Sequence, residues 1–229
     1  MGPLTVVFDL DGTLIDTAPD LIDTLNVVLA REGLRPVNSA VARNMIGKGA
    51  RRMIEAGLQA ERRTVVADEV ERMFGDFISH YSAHIADRSR PFPGLVTALD
   101  SLAAQGCRLA VCTNKLEGLS RQLLDALDLT DRFAAICGQD TYGVQKPNPE
   151  VLRKTIQAAG GGLSRAIMVG DSGTDIATAR AAGIPVVAVD FGYSETPIEK
   201  LGADRLIGHF DQLQAAVRDL AAGFAVDPA

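Results

Sequence analysis

The sequence predicts an α/β fold: a doubly wound parallel sheet core with an all-helical cap inserted after the first strand. Three observations carry that expectation. Short apolar runs without polar alternation recur along the chain, as strands do in a parallel sheet covered on both faces. Segments of helical spacing separate the later runs and supply the crossovers. After the first run, about a hundred residues break the alternation and contain no convincing strand.

The first strand is read at Leu4-Thr5-Val6-Val7-Phe8. Leu21, Ile22, Leu25, Val28 and Leu29 then fall on one helical face, with Thr17 as the expected cap, Asp20 three residues on, and Gly33 as the stop. Residues 65–86 form a second long helical pattern. Residues 16–88 are therefore expected to be the helical cap, and residues 1–15 with 89–229 the core. Pro91-Phe92-Pro93-Gly94 marks the return to that core. Strands follow at Leu109 to Cys112, Ala134 to Cys137, Ala166 to Val169 and Val186 to Val189, with a shorter one at Leu206-Ile207. Helices are expected at Leu95 to Ala104, Leu119 to Leu127, Pro149 to Ala159 and Thr174 to Ala182.

Composition narrows the function. The 229 residues are 47% apolar and 23% charged, enough for a packed core and unlike a disordered chain. The formal net charge is −6 and there is no basic run, which argues against a nucleic-acid partner, since that needs clustered Lys and Arg. No apolar stretch has the length of a membrane span, and no secretion signal is evident, so the expected location is the cytoplasm. Cys107, Cys112 and Cys137 have neither Cys-x-x-Cys spacing nor a histidine partner, and read as small buried hydrophobes.

Four clusters each follow an apolar run. In open α/β sheets, ligands gather at the carboxyl ends of the strands, so these clusters would share one edge. Asp9-Leu10-Asp11-Gly12-Thr13 places two carboxylates on one side of an extended chain. One carboxylate can attack phosphorus, and its neighbour can protonate a leaving group. An Asp-Gly turn at a strand end would look the same. Thr113-Asn114-Lys115 offers a hydroxyl and backbone N–H groups to phosphoryl oxygens, or simply caps a helix. Lys146 before Pro147 could neutralise a phosphate, or be solvated surface. Asp171 and Asp175 share a face if a helix begins there. Several hard carboxylate oxygens suit magnesium, whereas acids at a helix start also need no ligand.

The order of these clusters resembles the haloacid dehalogenase superfamily over nearly the whole chain, in Asp9-x-Asp11-Gly12-Thr13, Thr113-Asn114, Lys146-Pro147 and Gly170-Asp171-x-x-x-Asp175. The resemblance implies a Rossmannoid core and an inserted helical cap. It implies Asp9 as nucleophile, Asp11 as general acid/base, Thr113 and Asn114 as phosphate ligands and Lys146 as charge clamp. It further implies Mg2+ held by Asp9, the backbone carbonyl of Asp11, and Asp171, with Asp175 as an outer or alternative partner. The dehalogenase branch lacks an acid two residues after its nucleophile, so Asp11 points to phosphoryl transfer. The segments from Phe8 to Asp20, from Cys112 to Lys115, and from Phe191 to Ser194 resemble bacterial phosphoglycolate phosphatases, with Gln139 departing from an expected glycine.

The expected activity is therefore magnesium-dependent hydrolysis of a small phosphorylated metabolite, with 2-phosphoglycolate as substrate. Alternatives are a sugar-phosphate mutase, a pyrophosphatase, or a binding module on the same scaffold. The cap should choose the substrate. Lys48, flanked by Gly47 and Gly49, and Arg51 are candidates to meet a substrate carboxylate, although a basic solvated helix face would look alike. The sequence assigns no oligomeric state.

Overall fold

The structure, a computed structural model, describes residues 2–38, 42–43 and 46–224, the Lys48 side chain excepted. All six apolar runs are strands of one parallel sheet. They are β1 (Thr5–Phe8), β4 (Arg108–Cys112), β5 (Ala135–Cys137), β6 (Ala166–Gly170), β7 (Val186–Val189) and β8 (Arg205–Ile207). Their order is β5-β4-β1-β6-β7-β8. The chain thus winds outward from β1 in both directions, which makes the carboxyl end of β1 the switch point where ligand crevices form.

Side chains alternate across the sheet, as pleating requires. Val6 and Phe8 join the larger apolar cluster, with Leu99, Leu123 and Leu213 from α4 (Leu95–Ala104), α5 (Glu117–Ala126) and α8 (Leu213–Ala221). Val7 joins the opposite cluster, with Leu152 and Ile176 from α6 (Pro149–Ala158) and α7 (Gly173–Ala182). Both faces are covered, which is why the strands carry no polar alternation.

Residues between β1 and α4 form α1 (Ala18–Arg31), α2 (Ala50–Ala60) and α3 (Ala67–Ala83). Leu25, Ile54, Met73 and Phe77 from these helices pack in the larger cluster. Gly33 takes φ +69° just past α1, and its N–H bonds the Ala30 carbonyl, as a helix stop does. No helix among the described residues is long and apolar enough to cross a membrane.

The expectation of no strand here needs correction. Strands β2 (Ile15–Asp16) and β3 (Arg90–Pro91) pair antiparallel where the chain leaves the sheet and returns. Two-residue strands are too short to leave a periodic signature. The expected Thr17–Asp20 capping box is also absent. Thr17 makes no side-chain cap bond, and its buried hydroxyl has no partner among the described residues. Asp20 instead accepts hydrogen bonds from the Ser89 N–H (2.7 Å), the Ser89 hydroxyl (2.6 Å) and the Arg88 N–H (3.0 Å). It ties the outgoing chain to the returning one. The α1 terminus is capped from a distance, with the Ala18 N–H donating to the Tyr193 hydroxyl at 3.0 Å. Tertiary partners won because both groups are buried, where an unpaired donor is expensive.

Candidate active site

Four loops leave the carboxyl ends of neighbouring strands and meet at one edge. After β1, the Asp9 N–H bonds the Val169 carbonyl at 2.9 Å, holding this loop against the one after β6. Gly12 turns with φ +85°, and a Cβ there would lie 2.5 Å from Asp171 Oδ2. Only glycine lets the two loops approach so closely. Thr13 then donates its hydroxyl to Asp171 Oδ1 at 2.9 Å, and the Tyr193 N–H reaches Asp171 Oδ2 at 2.7 Å.

Helix α7 begins at Gly173, so Asp171 precedes it and does not share its face with Asp175, contrary to expectation. Asp175 sits at the third helical position and closes a capping box with Ser172. Its Oδ2 accepts from the Ser172 N–H and hydroxyl, and its Oδ1 from Lys146 Nζ at 2.6 Å. Both Asp175 oxygens are therefore held by protein donors.

Lys146 is not solvated surface. Its side chain is 2% exposed, with Nζ 2.6 Å from Asp175 and 2.8 Å from Asp9 Oδ1. Burial opposes its charge, yet Asp175 and Asp9 raise its pKa above the ordinary lysine value. Asn114 explains how the lysine is aimed. Its amide oxygen accepts from the Lys146 N–H at 2.9 Å, and its NH2 donates to the Lys146 carbonyl at 3.1 Å. The Asn114 side-chain amide is thus committed to the Lys146 backbone, and any contact of Asn114 with a phosphoryl group falls to its backbone N–H. Thr113 is buried, and its hydroxyl accepts from the Lys115 N–H at 3.2 Å.

Asp9, Asp171 and Asp175 each offer an oxygen within 4.8 Å of the others, and all three are buried. Burial pushes the Asp9 and Asp171 carboxyls above the usual carboxylate range, with further upward push from neighbouring carboxylates and partial relief of Asp9 by Lys146. Three carboxylates against one ammonium leave two negative charges when all are ionised. The Lys146 ammonium, 2.8 Å away, is the partner of Asp9 Oδ1. A buried, doubly negative, all-oxygen cluster with a single balancing ammonium fits a hard divalent cation. Cys112 is not a candidate ligand: burial pushes its thiol up to about 12.

Asp9 and Asp11 face one cavity, as expected, but Asp11 has a partner the sequence reading did not assign. Lys115 Nζ lies 3.0 Å from each Asp11 oxygen. The cavity, about 60 Å³, has a polar floor including Asp9, Asp11, Thr113 and Lys115, and an apolar roof including Met53, Phe74 and Phe77. Arg51 is not brought to it. Its guanidinium is bidentate to Glu71 and stacks on the Phe74 ring at 3.5 Å. Lys48 ends a 3-10 turn, and its side chain lies outside the described residues. The sequence signal for Lys115 was its place in the Thr113-Asn114-Lys115 cluster. Tyr81, also lining the cavity, gave none, because on an apolar helical stripe it reads as core.

The family model of haloacid dehalogenase-like hydrolases matches residues 6–189. A phosphoglycolate phosphatase of Mesorhizobium japonicum is 50% identical over 208 residues, which span 91% of this chain and 92% of that one. One from Caulobacter vibrioides is 47% identical over 206 residues, 90% of this chain and 87% of that one. Among solved structures, a predicted phosphoglycolate phosphatase from Haemophilus somnus 129pt superposes with a TM-score of 0.87 at 28% identity, covering 93% of this chain and 97% of the other.

Proposed function

The chain belongs to the haloacid dehalogenase-like hydrolases and is a phosphatase, and from that premise we propose that it hydrolyses 2-phosphoglycolate through a phosphoryl group carried on Asp9. The observation that carries the reading is Asp9 itself. It is a buried carboxylate, 2.8 Å from the Lys146 ammonium and on the floor of a cavity. The relatives' designation as phosphoglycolate phosphatases supports the substrate.

An Asp9 oxygen attacks phosphorus, and the bond from phosphorus to the ester oxygen breaks. Asp11 gives its proton to the departing alkoxide and glycolate leaves. Asp11 then takes a proton from water, whose oxygen attacks phosphorus, and the Asp9–phosphorus bond breaks to release inorganic phosphate. Lys146 balances charge on Asp9 and the phosphoryl oxygens, while Thr113 donates its hydroxyl to one of those oxygens. Asn114 and Asp175 position Lys146. Asp9, Asp171 and the Asp11 backbone carbonyl would hold Mg2+, which neutralises the dianionic phosphoryl group. Residues 16–88 act as the cap that encloses substrate and selects it.

Phosphate release tests the activity. With Mg2+ present, 2-phosphoglycolate should release stoichiometric phosphate and give the highest kcat/KM in a panel containing ethyl phosphate, β-glucose 1-phosphate and pyrophosphate. Interconversion of glucose phosphates without release would indicate a mutase. Faster cleavage of pyrophosphate would overturn the monoester assignment.

The metal has a readout independent of turnover. The Asp9 and Asp171 carboxyls are raised in the folded chain, so the metal-free fold binds protons that the unfolded chain has lost. Their contribution to stability is full below about pH 4, the ordinary carboxylate range, and is lost as pH rises toward and beyond neutrality. Mg2+ should reverse that loss. The Tm difference between Mg2+ and chelator should therefore widen with pH, as measured by thermal unfolding. A difference that is flat or absent from pH 4 to pH 8 would remove the cation from this cluster.

A further inference from the structure

Lys115 is a second buried cation at the site. Its side chain is 5% exposed. In that buried setting its ammonium is paired with the Asp11 carboxylate, 3.0 Å from each oxygen. The ammonium lies 4.5 Å from the centre of the Tyr81 ring. An ammonium has three donors, and the two Asp11 oxygens leave it capacity for another acceptor. The Tyr81 hydroxyl is buried beside Lys115, and its O–H donates to no acceptor among the described residues. Both residues line the cavity whose roof is otherwise apolar. Lys146 is held by Asp9 and Asp175, and Arg51 by Glu71, so Lys115 is the cation that faces the cavity among the described residues.

We propose that Lys115 and Tyr81 form the subsite for an acidic group on the substrate ester, and that filling it releases Asp11 for proton transfer. The inference rests on the phosphatase reading and on Asp11 as its acid/base. A substrate carboxylate entering an apolar cavity must exchange water for fixed donors, and Lys115 with the O–H of Tyr81 supplies them. The same contact draws the ammonium from Asp11, whose carboxyl is then free to turn to the ester oxygen. An uncharged ester makes no such exchange and leaves Asp11 clamped. The preference for acidic esters should thus appear in kcat as well as KM.

The test compares 2-phosphoglycolate with ethyl phosphate, which has the same two-carbon frame without the carboxylate. In Lys115→Met, the ratio of the two kcat/KM values should fall by about 10- to 150-fold, the loss expected for a charged hydrogen bond. KM for 2-phosphoglycolate should rise, while kcat for ethyl phosphate rises because Asp11 is no longer clamped. Lys115→Arg should recover part of the ratio. Tyr81→Phe should lower it by a smaller factor, and decides the matter if Lys115→Met does not fold. An unchanged ratio, or an equal loss on both esters, overturns the subsite. Wild-type protein that releases phosphate from neither ester overturns the 2-phosphoglycolate reading itself, a failure visible before any variant is made.

Discussion

Asp9→Asn should lower kcat on 2-phosphoglycolate by at least about 10⁴-fold, the scale seen when a nucleophile is removed from a preorganised site. The amide has the shape of the carboxylate but is a poor nucleophile. The fold should not suffer. Asp9 adds negative charge to a cluster already containing Asp171 and Asp175, and burial disfavours its ionised form. Without metal, the variant should therefore match or exceed the wild-type Tm, since Lys146 retains Asp175 as partner. Mg2+ should stabilise it less than it stabilises wild type, because a ligand has been weakened. Steady-state rates and thermal unfolding with and without Mg2+ measure all three effects. A tenth of wild-type activity in a well-folded variant would sink Asp9 as nucleophile.

Lys146→Met should be the most damaging change to stability, and should lower the rate as well. The ammonium sits between Asp175 and Asp9, within 2.8 Å of each, and its side chain is 2% exposed. Removing one member of a buried ion pair leaves the other uncompensated, at a cost of about 3–5 kcal/mol. Here two carboxylates lose their cation, and methionine restores the apolar stem but no charge. Urea unfolding of metal-free protein should register that loss. It should shrink at acid pH, where protonation removes the stranded charges. The variant that remains folded in Mg2+ should lose about 100- to 1,000-fold in kcat, as for removal of one transition-state donor. Wild-type stability in the variant would show that the ammonium does not hold these acids together.

Much of this site was legible before folding was considered. Each of the four clusters follows an apolar run, and each run proved to be a strand of one parallel sheet. The Asp9 to Thr13 turn, Lys146 and Asp171 meet because parallel strands present their carboxyl ends at a common edge. The misses came where local patterns had distant competitors. Thr17 and Asp20 looked like a capping box, but Asp20 found Ser89 and the Ala18 N–H found Tyr193. The Asn114 side chain gave no sign that its amide would serve the Lys146 backbone. Arg51 looked free for a substrate, but Glu71 and Phe74 hold it.

The sequence by itself determined the sheet, the helical segment inserted after its first strand, and the edge on which the acidic clusters gather. Those follow from residue order and apolar periodicity, which act over a few residues at a time. Only the tertiary structure decided how the charges pair. Lys115 meets Asp11 across 104 positions of chain, and Lys146 meets Asp175 across 29. Such pairings depend on ångström separations between loops and on the water that burial removes. A Coulomb interaction that is slight in solvent becomes several times stronger there, so the nearest buried partner prevails whatever its place in the chain.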